Sequence, residues 1–193
     1  MGSSDGLFGK HRNTRLMEAA GRGDCPKITR LLDKGADVNH RQESGRDQYY
    51  VAANTFISTY RSGGRTPLYL AAASGHARAA ELLLEHGAQV DLCDEFGMTP
   101  LHRAVMAGSL ETAALLLEKS ARPDARYDAF REEATHYQAG DPRIGQTLTL
   151  QRLAKDHGQR TPLGILRFGP CGKALMDVAD KMEELLAGYG CTV

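Results

Sequence analysis

The sequence predicts an all-α solenoid of stacked helix–turn–helix units, on three observations. First, the stretch Gly64–Phe96 (GRTPLYLAAASGHARAAELLLEHGAQVDLCDEF) is rewritten at Gly97–Ala125 (GMTPLHRAVMAGSLETAALLLEKSARPDA). Thr66/Thr99, Leu68/Leu101 and Gly75/Gly108 are each 33 residues apart. Second, a shorter spacing recurs inside the units: Gly23 to Gly35, Gly75 to Gly87 and Gly108 to Ser120 are each 12 residues. Third, the apolar residues between these marks fall at helical intervals, as in Ile28, Leu31 and Leu32. A fixed period of this length belongs to units that cannot bury an apolar face alone and do so by stacking.

Taken in order, residues 1–12 are Gly/Ser-rich and polar and read as a flexible lead-in. Unit one covers 13–39. Its Leu16, Ala19 and Ala20 repeat the apolar face of Leu68, Ala71 and Ala72. Asp24 is placed to cap its second helix, with Pro26 in the first turn, and Gly35 ends it. A first insertion, about 40–62, follows: Thr14 to Thr66 is 52 residues, 19 more than the period. Its first half is polar, whereas Tyr49 to Tyr60 is aromatic and β-branched. Units two and three (64–96 and 97–125) run on without a break, and each Thr-Pro supplies a cap and a first-turn proline.

A second insertion, about 126–157, lengthens the Thr99–Thr161 spacing to 62 residues. Phe130, Ala134 and Tyr137 at i, i+4 and i+7 predict a short amphipathic helix, broken at Gly140-Asp141-Pro142. Unit four, 159–190, is degenerate. Gln159 stands where the others have Gly, Gly169-Pro170 cuts its first helix short, and its second helix is predicted over Lys173–Leu186. It reads as a C-terminal cap, because a terminal repeat must turn one side to water.

Thr66-Pro67-Leu68, Thr99-Pro100-Leu101-His102 and Thr161-Pro162-Leu163, followed by Ala-Ala, Gly-His, a Leu run and Gly-Ala-x-Val-Asp, resemble ankyrin repeats. The resemblance implies an all-α ankyrin-repeat solenoid whose unit-to-unit connections project as fingers, so both insertions emerge on the finger side. It also implies a groove lined by finger residues and the exposed face of each first helix. Carried over position by position, that lining is Asn13, Arg22, Arg65, Ser74, Glu95, Phe96, Met98 and Met106. The His of Thr-Pro-Leu-His commonly bonds locally in such repeats, which gives His102 a turn-tying role. Tyr69 holds the same position in unit two and is expected to face the groove. Phe96, Met98 and Met106 form an expected exposed apolar patch, with Arg22, Arg65 and Arg103 orienting whatever docks there.

Composition excludes several function classes. Lys plus Arg equals Asp plus Glu at 24 each, so no global field draws the chain to nucleic acid or to an anionic membrane. No apolar run reaches the roughly 18 residues of a membrane span. The start carries no apolar signal region. Cys25, Cys93, Cys171 and Cys191 lack paired metal spacing and suit a reducing compartment. The expectation is a cytoplasmic or nuclear monomer with no cofactor and no metal.

Five tyrosines, Tyr49, Tyr50, Tyr60, Tyr127 and Tyr137, fall in the two insertions. Their plain role is to staple the insertions to the array; their sharper one is to wall a pocket over units two and three. Acid–base candidates in the second insertion are Asp128, Glu132 and His136, and the last two, at i and i+4, share a helix face. No Gly-rich phosphate loop, His-Glu-x-x-His or Gly-x-Ser-x-Gly accompanies them. The leading reading is a module that recognises a protein or peptide partner through its concave, finger-bearing face. The rival is a small-molecule binder or cofactor-independent acid–base enzyme whose pocket the insertions enclose.

Overall fold

The computed structural model describes residues 4–52, 55–61, 63–126, 162 and 178–191. Within them the helices are α1 (Ser4–Arg22), α2 (Cys25–Asp33), α3 (Pro67–Ala73), α4 (Ala77–Glu85), α5 (Pro100–Met106), α6 (Leu110–Glu118) and α7 (Ala179–Gly188). Helix α1 packs on α3 and α3 on α5, forming an inner row. Helices α2, α4 and α6 stack in the same order as an outer row, and α7 closes on α6. The array is the all-α ankyrin solenoid that the period predicts.

Equivalent positions fill each layer. Leu16, Leu68 and Leu101 are all buried, as are Ala19, Ala71 and Ala104 and, on the outer helices, Leu31, Leu83 and Leu116. The alanines let the helices approach closely, and each buried leucine contributes about 1.5–3 kcal/mol. Met182 and Leu186 of α7 join the same core.

Local chemistry sets where the helices begin and end. Thr66 Oγ1 accepts from Tyr69 N at 3.1 Å, and Asp24 Oδ1 accepts from Lys27 N at 3.1 Å. Pro67 and Pro100 occupy first turns, where a missing N–H costs nothing. Unit one has Arg15 at the corresponding position, and this explains a correction. The flexible lead-in expected over 1–12 is helical from Ser4, because no proline ring blocks the turn before Leu16. At the other end of the outer helices, Gly35 and Gly87 take left-handed φ values of 76° and 85°, and Ser120 is forced to the same region at 64°.

A repeated side-chain bond joins successive units. Asn39 Oδ1 accepts from Gln89 N at 2.8 Å while its Nδ2 donates to Gly87 O at 3.1 Å. One unit on, Asp91 Oδ1 accepts from Arg122 N at 3.0 Å. Asn39 and Asp91 are equivalent residues, and so are Gln89 and Arg122.

The first insertion is a β-hairpin, to which the sequence reading had assigned no secondary structure. Strands β1 (Gly45–Ala52) and β2 (Thr55–Arg61) pair antiparallel, from Gly45↔Arg61 at the base to Ala52↔Thr55 at the tip, with an irregularity between Tyr50 and Ala52. Eight residues at a rise of about 3.4 Å make this finger roughly 25 Å long. Its root is held by Gln42 N donating to Arg65 O (2.8 Å) and Gly64 N to Gln42 O (2.7 Å).

The helix predicted over Lys173–Leu186 is described from Ala179 to Gly188, with Val178 in the turn before it. The helix predicted around Phe130–Tyr137 lies outside the described residues.

Candidate functional site

Three chain segments meet at the finger edge: 41–44, 63–65 and 93–98. Besides the hairpin root, Glu95 N donates to Gly63 O at 3.1 Å and Arg41 Nη2 to Cys93 O at 2.9 Å. Gly64 sits at the junction with a φ of 81°, and a Cβ there would stand 3.1 Å from the Asp94 backbone. The crossing therefore needs glycine for its backbone angle and for its space.

Asp94 organises the second finger. It is only 2% exposed, yet its charge is satisfied on every side. Oδ1 accepts from Phe96 N and Met98 N, both at 3.0 Å, and Oδ2 accepts from the Tyr69 hydroxyl at 2.7 Å. Arg103 Nε donates to the same Tyr69 oxygen at 2.6 Å, and its guanidinium lies 5.2 Å from the ring centroid. Burial pushes the Tyr69 phenol well above its usual value of 10; Arg103 opposes that rise, and Asp94 adds to it. A phenol so held keeps its proton at neutral pH and cannot serve as a base. The node fixes the finger of unit two against α3 and α5.

This geometry corrects three sequence expectations. Tyr69, 1% exposed, does not face the groove, because the next finger offers it a buried carboxylate. Phe96 and Met98 are buried too, and so are not exposed anchors. Asp94 draws their amides inward, and the Met98 sulfur lies 3.8 Å from the Tyr69 hydroxyl. Met106 remains half-buried and packs against the core.

His102 is buried and spent on its own turn. Its Nδ1 accepts from Thr99 N at 3.2 Å and lies 2.8 Å from Thr99 Oγ1, which closes a capping box. Asn13 is likewise occupied, its Oδ1 accepting from Asp37 N at 2.9 Å. Arg22 and Ser74 are exposed at the ends of α1 and α3.

Tyr49, Tyr50 and Tyr60 lie in the hairpin, paired with Ile57, Phe56 and Arg46. Asp128, Glu132, His136, Tyr127 and Tyr137 lie outside the described residues. Among the described residues no group of three or more His, Cys, Asp or Glu is placed to hold a metal ion. No described helix is long and apolar enough to cross a membrane.

What the finger edge leaves unsatisfied is specific. Gln42 Oε1, Arg65 Nε and Glu95 Oε1 are buried atoms without a hydrogen-bond partner among the described residues. Gln42 is the positional equivalent of Asp94, whose oxygens are all used. The sequence reading had selected Arg65 and Glu95 by position but missed Gln42 and Asp94. The equivalence of positions 42 and 94 was the available signal.

Comparison with known proteins agrees with the architecture. The family profile described as ankyrin repeats (3 copies) matches residues 16–127. The chain is also 31% identical over 103 residues to the glycerophosphocholine phosphodiesterase GDE1 of Eremothecium gossypii, a match covering 43% of this chain and 8% of that relative. The chain thus spans under a tenth of the relative's length. With the 33-residue period, the two helix rows and a profile match over more than half its length, this chain is a member of the ankyrin-repeat family.

Proposed function

We propose that this protein is a recognition module that binds a protein or peptide partner along its finger edge. Half-buried Arg65, Gln42 and Glu95 supply the polar groups, and the β-hairpin stands beside them as a wall. Ankyrin repeats are generally protein-interaction modules, built as extended surfaces rather than pockets. The observation that carries the reading is the set of three buried atoms, Gln42 Oε1, Arg65 Nε and Glu95 Oε1, that have no partner among the described residues and lie on adjoining segments whose backbones are already paired. An unmade buried hydrogen bond costs about 1–3 kcal/mol, so a partner toward which these half-buried side chains turn gains what the free protein forgoes. Exposed Arg22 and half-buried Arg103 and Met106 extend the surface along the first helices.

A separation of function tests this. Arg65→Met removes a buried Nε donor that has no partner among the described residues, so stability should hold or rise by up to ~1 kcal/mol. Peptides selected from a random display library on the wild-type protein should lose about tenfold in affinity for the variant, or ~1.4 kcal/mol. Peptides that bind both proteins equally would refute the finger-edge reading. A variant that melts lower would instead make Arg65 structural.

A further inference from the structure

A second site lies away from the fingers, between α1 and α2 at the N-terminal end of the stack. There a cleft of about 810 Å³ is walled by cations: Arg12 and Arg15 from α1, and Lys27, Arg30 and Lys34 from α2 and its C-cap. His11 adds an imidazole ring, and Asp24 supplies the lining's one carboxylate. That carboxylate is engaged as the cap of α2, and Arg12 donates to the backbone oxygen of Lys34. Arg15, Lys27, Arg30 and Lys34 have no acidic partner in ion-pair range among the described residues. The chain as a whole carries equal numbers of acids and bases, so this surplus is a local arrangement and not a general basicity.

We propose that the cleft docks an acidic peptide segment of a partner protein. Charge complementarity requires an anion, and spacing favours a chain over a point charge. Lys27, Arg30 and Lys34 follow one face of α2 at i, i+3 and i+7, which spreads them over about 10 Å at 1.5 Å per residue. A single phosphate is far shorter than that stripe. Carboxylates on alternate residues of an extended strand recur every ~6.7 Å and match it. Pro26 and buried Leu31 give the lining an apolar component on which the aliphatic part of a Glu-rich chain rests. Arginines on the facing helix supply the forked donors that carboxylates accept best.

The test is a fluorescence-anisotropy titration of the full chain with a labelled peptide of alternating Glu and Asp, against its Gln/Asn counterpart. The acidic peptide should bind, weaken steeply as salt rises, and lose at least about tenfold for the Arg15→Glu, Arg30→Glu double variant. Lys119→Glu, a charge reversal just past α6, should change affinity less than about twofold, since surface charges beyond a Debye length are screened. Arg65→Met should leave this binding intact, which separates it from the finger edge. If the double reversal unfolds the protein, Lys27→Gln with Lys34→Gln is read in the same assay and should still lose several-fold. Equal binding of the neutral peptide, or undiminished binding by the cleft variants, overturns the proposal. Tripolyphosphate binding tighter than the peptide would reassign the cleft to a small polyanion and overturn it as well.

Discussion

Tyr69→Phe removes one oxygen and tests the node that sets the second finger. The ring still fills its buried site, so little apolar packing is lost. Gone are the donor to Asp94 Oδ2 at 2.7 Å and the acceptor for Arg103 Nε at 2.6 Å. Asp94 is 2% exposed, so water does not reach the orphaned oxygen to replace the hydroxyl. A hydrogen bond to a charged group contributes about 1.5–3 kcal/mol, and Arg103 regains part of its loss from solvent, so the expected cost is about 2–4 kcal/mol. For a domain of this size that corresponds to a fall in Tm of roughly 5–12 °C.

The effect has a pH signature. The folded state holds the Tyr69 phenol above the value of 10 that it has when unfolded. Below pH 10 both states keep the proton and the contribution is whole. Above it the unfolded chain gives up its proton first, so rising pH favours unfolding. Guanidinium titrations of both proteins at pH 7, 9 and 10.5 should therefore show a gap that is constant at the first two values and narrower at the third. A gap below ~0.5 kcal/mol at pH 7 would refute the reasoning, since it would mean that Asp94 finds another donor at no cost.

Two smaller changes test the unit ends. Ser120→Gly should stabilise by about 1 kcal/mol, since a left-handed non-glycine residue carries roughly that penalty, and should raise Tm by a few degrees in a thermal melt. A lower Tm would mean that the serine hydroxyl outweighs its backbone strain. His102→Ala opens the Thr99 capping box and leaves a buried cavity, which should cost about 1–3 kcal/mol by chemical denaturation; an unchanged midpoint would deny the ring its structural role.

Most of the array was legible because repetition copies chemistry along with spacing. Gly35, Gly87 and Ser120 share one place in the period, and that place dictated a left-handed turn even where the residue is serine. The Thr-Pro pairs marked two helix starts, whereas the first part of the helix over Ser4–Arg22 reads as a flexible lead-in because Arg15, which stands where the other units have proline, carries no start signal of its own. The hairpin was less legible. Its Tyr49–Tyr50–Val51 and Thr55–Phe56–Ile57 runs are strand formers flanking a short connection, yet period-based reading treats whatever departs from the period as surplus.

The finger interior was misread for a different reason. Phe96 and Met98 look exposed when placed by analogy along the chain, and only the carboxylate of Asp94 turns their backbone inward. Asp94 and Phe96 share unit two, and the bond to Met98 reaches only four residues on into unit three, so the turn is a local one that position-by-position analogy does not register. Gln42 was hidden likewise, because a 19-residue surplus separates it from its counterpart.

The side-chain bond from Asn39 to Gln89, repeated from Asp91 to Arg122, makes the array extensible. Each unit closes with an acceptor and receives its successor through a backbone donor, so a duplicated unit two would find both connections waiting. The buried node would not be duplicated with it. Arg103 corresponds to Leu70 in unit two, so only the downstream copy of Tyr69 would meet a guanidinium. Lengthening would extend the scaffold unit by unit while leaving a single fully charged joint, always at the boundary with unit three.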